Sequence, residues 1–249
     1  MSKPSDHDLV QHRARNYPYE RADHSFVFAD GDIREFGSAD NALLQGRHPV
    51  LAFGSNAAPE QLQRKYTEHD AVCFAVTRAT LRGYDVVYSA HLTSYGAVPA
   101  TLAPSPGTVL ETWITWLDDD QLAHMHTTEM GRGGADVNYS YGHLEDVEIT
   151  VEEIDGIDRV GVYLSNFGAL ALADAPLAFS RIIAANRQYN AVEKIRVLEQ
   201  VRDLLSPGQS LEDFIHQIVH EPASRKAWGD ALKEKAHALE FPDFVALIP

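Results

Sequence analysis

Up to about residue 170 the chain carries its apolar residues in short runs punctuated by Gly, Pro, Asn and Asp, and beyond that they recur at helical spacing. The runs at 50–53, 72–77, 84–89, 100–102, 109–117, 147–152 and 159–164 predict strands. Trp113, Ile114 and Trp116 in one run predict a strand that meets apolar surroundings on both faces. Asp30-Gly31, between the stretches 25–29 and 32–36, predicts a hairpin, because Asp-Gly supplies the two positive-φ positions of a tight turn. Residues 1–24 are polar with little periodicity and predict a partly ordered arm. Asp118-Asp119-Asp120 predicts a helix start, with Leu122, Met125 and Thr128-Glu129 following at helical spacing.

The tail predicts helices from Pro176 onward. Leu177, Ile182 and Ile183 mark one; Val192, Ile195, Leu198, Val201 and Leu205 mark a second, stopped by Pro207-Gly208. Leu211, Phe214, Ile215, Ile218 and Val219 fall at i, i+3, i+4, i+7 and i+8 behind a capping Ser210. The expectation is an α+β molecule in three parts: an arm and hairpin at 1–45, a β-rich domain at 46–170 and a helical region at 171–249. The helices serve as structural support in this reading, with a dimer surface or a lid as the sharper alternative.

Composition narrows the class. Of 249 residues, 45% are apolar and 23% charged, as in ordinary soluble domains. No apolar run approaches the roughly 20 residues of a membrane helix, and the start, Met1-Ser2-Lys3-Pro4, does not read as a secretory signal. The single cysteine, Cys73, precludes an internal disulfide and predicts a reducing, cytoplasmic setting; its apolar flanks predict a small core thiol. A net charge of −15 argues against a nucleic-acid partner, since phosphate binding requires clustered Lys and Arg. His124 and His126 lie two apart, and such positions do not face together on a helix, so no metal site is predicted. No phosphate-binding Gly-Lys loop, dinucleotide fingerprint or Gly-x-Ser-x-Gly elbow is present, and no cofactor is expected. The oligomeric state stays open.

The most informative local feature is Phe53-Gly54-Ser55-Asn56. An apolar strand runs into a Gly-Ser-Asn turn, and Pro59-Glu60 then opens a helix to about Lys65, where Pro suits the first turn. Strand, tight turn and helix start together aim backbone N–H groups at one spot suited to a carboxylate or a developing oxyanion. Together with the segments downstream of it, this block resembles the γ-glutamylcyclotransferase-like family. That family opens its domain on a strand ending Tyr-Gly-Ser-Asn. The remaining matching pieces are Arg64 on the next helix, Gly83-Tyr84, Pro99-Ala100-Thr101-Leu102, the strand at 109–117, and Met125-His126-Thr127-Thr128-Glu129-Met130-Gly131 in place of Leu-Asp-x-x-Glu-Gly. Order and spacing hold over roughly half the chain.

The resemblance implies a small mixed β-barrel and a specific reaction. The α-amine of a γ-glutamyl compound attacks its own γ-carbonyl, closes 5-oxoproline and expels the attached amine. The nucleophile belongs to the substrate, so no Ser, Cys or metal is required. Glu129 is implied as general acid/base, a role suited to a carboxylate in a partly apolar pocket. Phe53, Gly54, Ser55 and Asn56 are implied to bind the glutamyl end through backbone donors, each worth on the order of 3 kcal/mol in acyl chemistry. Tyr139 and Tyr141 are candidates for shaping the pocket, with strand packing as the alternative for either. Gly131-Arg132-Gly133-Gly134 is a candidate loop over the ligand. Phe53, His126 and Thr112 depart from the family's Tyr, Asp and Gly, which leaves substrate identity open. His126 is a candidate hydrogen-bond partner of Glu129, three residues on. Two rivals stand beside cyclotransfer: hydrolysis of a small amide, and a non-catalytic module binding a small metabolite or a partner.

Overall fold

The computed structural model describes residues 5–69, 71–130, 137–172 and 175–248. In chain order it holds α1 (Asp6–Asn16), β1 (Phe26–Ala29), β2 (Asp32–Glu35), β3 (His48–Leu51), α2 (Pro59–Tyr66), β4 (Cys73–Tyr88), β5 (Ala100–Leu117), α3 (Asp119–Met130), β6 (Tyr139–Val151) and β7 (Ile154–Ser165). After four short strands come α4 (Lys194–Leu205), α5 (Leu211–His220) and α6 (Pro222–Lys233), then a two-residue strand, Ala236–His237, and a last strand at Phe244–Ile248. The fold is α+β. Its centre is a closed ring of five strands in the order β5-β3-β7-β6-β4, with β4 paired back to β5. The β3–β7 pairing is parallel and the rest antiparallel.

Alternate residues of the same strands feed two cores, as the period-2 geometry of a strand dictates. Val50, Phe74, Val76 and Trp113 pack with Phe26 and Phe28 of β1, Leu62 and Tyr66 of α2, and Met125 of α3. Leu51, Ala75 and Ile114, one position along, join a larger core shared with α4, α5 and α6. Trp113 lies in one core and Ile114 and Trp116 in the other, so both faces of that strand are buried. The hairpin is present, with Asp30 at φ 48° and Gly31 at φ 89°, and β1 adds to the sheet beside β4. Helix α3 starts where the acidic triplet predicts: Gln121 N donates to Asp118 Oδ1 at 2.9 Å, and Asp118 N to Gln121 Oε1 at 3.1 Å.

Four expectations are corrected. Residues within 1–24 form α1: Ser5 Oγ caps Asp8 N at 3.1 Å, and Gln11 Nε2 donates to Glu212 O of α5 at 3.0 Å. Only Ala14 of that helix is buried and Leu9 is exposed, so its apolar face is too sparse to show as periodicity. The separate runs 72–77 and 84–89 are one strand, with a register shift between Arg82 and Tyr84 where Gly83 takes φ 81°. The runs 100–102 and 109–117 also merge, through Gly107 at φ 84°. Leu177, Ile182 and Ile183 mark no helix. Leu177–Phe179 and Ala184–Ala185 are short strands on β4 and β5, and the carbonyls of Phe179 and Ile182 accept from Arg187, which pairs with buried Asp85 at 2.9 Å. The tail is therefore not helical throughout, and its last strand returns to pair with β6. No helix among the described residues is long and apolar enough to cross a membrane.

Candidate functional site

Strand β3 ends at Leu51, and Ala52 N donates to Trp113 O at 2.8 Å. The chain then turns through Phe53 and Gly54 into a single 3-10 turn, Ser55–Ala57, and Pro59 begins α2. Gly54 is constrained by space rather than by a left-handed backbone. A methyl there would lie 3.2 Å from Tyr17 Oη and 3.7 Å from Ala100 Cβ. Segments distant in sequence pin the turn. Arg21 Nη2 donates to Phe53 O and, at 3.1 Å, to Gly54 O, while Ala100 N donates to Tyr17 Oη at 2.9 Å. With the carbonyls held by Arg21, the amides of Gly54, Ser55 and Asn56 have no protein acceptor among the described residues.

Glu129 stands in the last turn of α3, 73 residues beyond Asn56, yet the two touch: Asn56 Nδ2 donates to Glu129 Oε1 at 3.1 Å. Lys65 Nζ, from α2, makes an ion pair with the same oxygen and lies 3.2 Å from Met125 Sδ. The lysine side chain is 6% exposed and the glutamate 17%. His124 Nε2 donates to Lys65 O at 2.7 Å, tying α2 to α3.

Phe53, Gly54, Ser55, Asn56, Glu129 and Tyr139 together line one small cavity of ≈ 30 Å³, closed by Tyr17, Ala100 and Tyr163. That is room for a water or two. Larger clefts of ≈ 320 and ≈ 410 Å³ lie beside Arg21 and beside α6, away from Glu129. Asn56 Oδ1 is buried with no hydrogen-bond partner, a ready acceptor for an ammonium. Tyr139 Oη donates to Ala100 O at 3.1 Å, and burial holds its proton well above the ordinary phenol range.

Tyr141 is elsewhere. It forms none of the cavity wall and packs against His126 (4.5 Å between centroids) and Tyr163 (4.9 Å), its hydroxyl above Gly161, where a methyl would collide with it. Burial pushes that hydroxyl up to about 12. His126 does not reach Glu129. Its Nδ1 bonds Tyr163 Oη at 2.8 Å, and burial lowers its pKa. Arg64 braces the outside of α2 on Glu60, with its guanidinium 4.3 Å from the Tyr19 ring centroid. The glycine-rich stretch 131–134 lies outside the described residues. Thr112 sits inside β5 with Oγ1 buried and unpartnered.

Four residues at or beside the site were not legible in the sequence: Tyr17, Arg21, Lys65 and Tyr163. Phe53 lacks the hydroxyl of the resembled motif, yet a hydroxyl reaches this turn from Tyr17, kept protonated by burial. Among the described residues its O–H has no acceptor. The one available signal was Lys65 itself, a cation in the helix after the turn and adjacent to Arg64. His124 and His126 point to different partners, and among the described residues no group of three His, Cys, Asp or Glu is placed to hold a metal.

No protein-family model matches the chain, and no curated protein matches it. Among solved structures the chain is similar to one described as a gamma-glutamyl cyclotransferase, at 15% identity and a TM-score of 0.35, covering 81% of this chain and 93% of that chain. The cavity's geometry and the motifs, rather than this likeness, carry the functional reading.

Proposed function

We propose that this protein is a cyclotransferase that releases 5-oxoproline from a γ-glutamyl amine or γ-glutamyl amino compound. The observation that carries the reading is the convergence on one cavity of Glu129 with the free amides of Gly54, Ser55 and Asn56. The motif order and the five-stranded barrel agree with the family resemblance. Glu129 takes a proton from the substrate's α-ammonium, and the freed amine attacks the γ-carbonyl. The turn amides and the Tyr17 hydroxyl receive the oxyanion or the α-carboxylate, as preorganised donors. Glu129 then returns its proton to the departing nitrogen as the C–N bond breaks, and the second proton, shed by the ring nitrogen after the attack, passes by the same carboxylate to the amine, which leaves as an ammonium. The products are 5-oxoproline and the free amine, and the balance needs no water, metal or redox partner. The walls must part to admit a glutamyl group, since the cavity holds ≈ 30 Å³. The single cysteine and the −15 charge agree with a cytoplasmic enzyme acting on a small molecule.

The same narrow cavity favours a second reading, a module that binds a small metabolite without turning it over. Mass spectrometry of 5-oxoproline released from pooled γ-glutamyl amines, γ-glutamyl amino acids and glutathione separates them. Release by the wild type, falling at least about 1,000-fold in Glu129→Gln as expected for loss of a general acid/base, supports cyclotransfer. Free glutamate in place of 5-oxoproline means hydrolysis. No product from any compound overturns both catalytic readings.

A further inference from the structure

Glu129 is held from one side. Lys65 Nζ and Asn56 Nδ2 both donate to Oε1, while Oε2 has no hydrogen-bond partner among the described residues. Asn56 and Glu129 are part of the cavity wall and Lys65 is not, so the ammonium approaches the carboxylate from the protein interior. The arrangement is built from two helices. Lys65 occupies the last turn of α2, Glu129 the last turn of α3, and the His124–Lys65 hydrogen bond of 2.7 Å fixes the helices against each other there.

A buried ion pair is a poor source of net stability, because desolvating two charges cancels most of their attraction. Its distinctive effect is orientation. A glutamate side chain has three rotatable bonds, and an unanchored carboxylate spreads over many positions. Two donors on one oxygen restrict it to one. We propose that Lys65 is a positioning residue: it anchors Oε1 so that Oε2 is the oxygen presented to the substrate's α-ammonium. The inference rests on the cyclotransferase reading for its kinetic consequence, while the geometric claim stands apart from turnover.

Lys65→Met keeps the stem and removes the charge, and Lys65→Arg keeps a cation. Displacement of a reacting group by about 1 Å costs about 100-fold in rate, so Lys65→Met is expected to lower kcat by about 100-fold with KM changed less than about threefold, the pattern of an interaction used in the transition state. Lys65→Arg is expected to recover most of the loss. In a Glu129→Gln background Lys65→Met is expected to add nothing, because Lys65 acts through Glu129. That double variant also avoids leaving an unpaired buried carboxylate if the single variant folds poorly. Crystal structures of Lys65→Met and Lys65→Arg give the readout independent of activity: Glu129 leaves Asn56 in the first and stays in the second.

A wild type that releases 5-oxoproline, beside a folded Lys65→Met variant with unchanged kcat and an unmoved Glu129, overturns the positioning role and leaves the cyclotransferase reading intact. A rise in KM alone also overturns it. No turnover by the wild type, with Glu129 displaced in Lys65→Met, removes the reaction and keeps the positioning role.

Discussion

The tightest constraints on this site are single atoms. The turn at Gly54 tolerates no added carbon without movement of Tyr17 Oη, 3.2 Å from where a methyl would sit. Gly54→Ala is expected to lower stability by about 1–2 kcal/mol, as mild overpacking does, measured by urea unfolding. Tyr17→Phe strips the acceptor from Ala100 N and by itself costs about 1–3 kcal/mol for the unsatisfied buried amide. In that background Gly54→Ala is expected to cost less than in the wild type, and equal costs would show that the hydroxyl is not what crowds the glycine. A second atom-level effect is acid sensitivity at His91. The residue is 4% exposed, its Nδ1 bonds Ser89 Oγ at 2.8 Å and its Nε2 is unpartnered, and burial lowers its pKa from 6.5 to about 3. As pH falls below 6.5 the unfolded chain takes up this proton first, so stability is full above that value and is lost progressively down to about pH 3. His91→Gln is expected to reduce the stability difference between pH 7 and pH 5 by about 2 kcal/mol; an unchanged difference in urea titrations at the two pH values would contradict this.

At the scale of elements, the legible pieces were those marked by local turn or capping chemistry or by a full apolar stripe. The hairpin, α3, α4 and α5 carry capping residues or full apolar stripes, and their positions follow from them. The Gly-Ser-Asn turn and Glu129 were legible as a motif, and the structure brings them to one cavity. Tyr139 and Tyr141 were not separable: they share one face of β6, and only packing around Tyr163 and Gly161 puts one in the wall and the other in the core. Residues 177–192 misled because Leu177, Ile182 and Ile183 show no period-2 alternation that would mark a strand, whereas pairing with β4 and β5 and the Arg187–Asp85 pair hold that stretch as short strands.

At the scale of the molecule, both ends of the chain pack onto the closed barrel. Tyr17 packs 6.0 Å from Phe179 and 6.1 Å from Tyr95, and Arg21 holds the turn carbonyls, so residues 5–24 act as a strap across the site. Deleting residues 1–24 is expected to lower Tm by about 5 °C or more, the shift that a loss of about 2–3 kcal/mol brings in a chain of this size, and to abolish 5-oxoproline release. A truncated protein with wild-type Tm and activity would show that the strap is dispensable. The last strand, Phe244–Ile248, is likewise built onto β6 from the far end of the chain.

The sequence by itself determined an α+β chain, a Gly-Ser-Asn turn between a strand and a helix, and Glu129 on the helix after the acidic triplet. These features arise from turn chemistry, caps and periodicity, all of which act between near neighbours. The tertiary structure alone decided that Lys65 and Asn56 meet Glu129, that Tyr17 and Arg21 cross the chain to the turn, and that His126 bonds Tyr163 instead of Glu129. The contacts between Tyr17 and Ala100, and between Lys65 and Glu129, span 83 and 64 residues. Their partners are set by how the five strands close and which helices cover them, a condition no local window of sequence records.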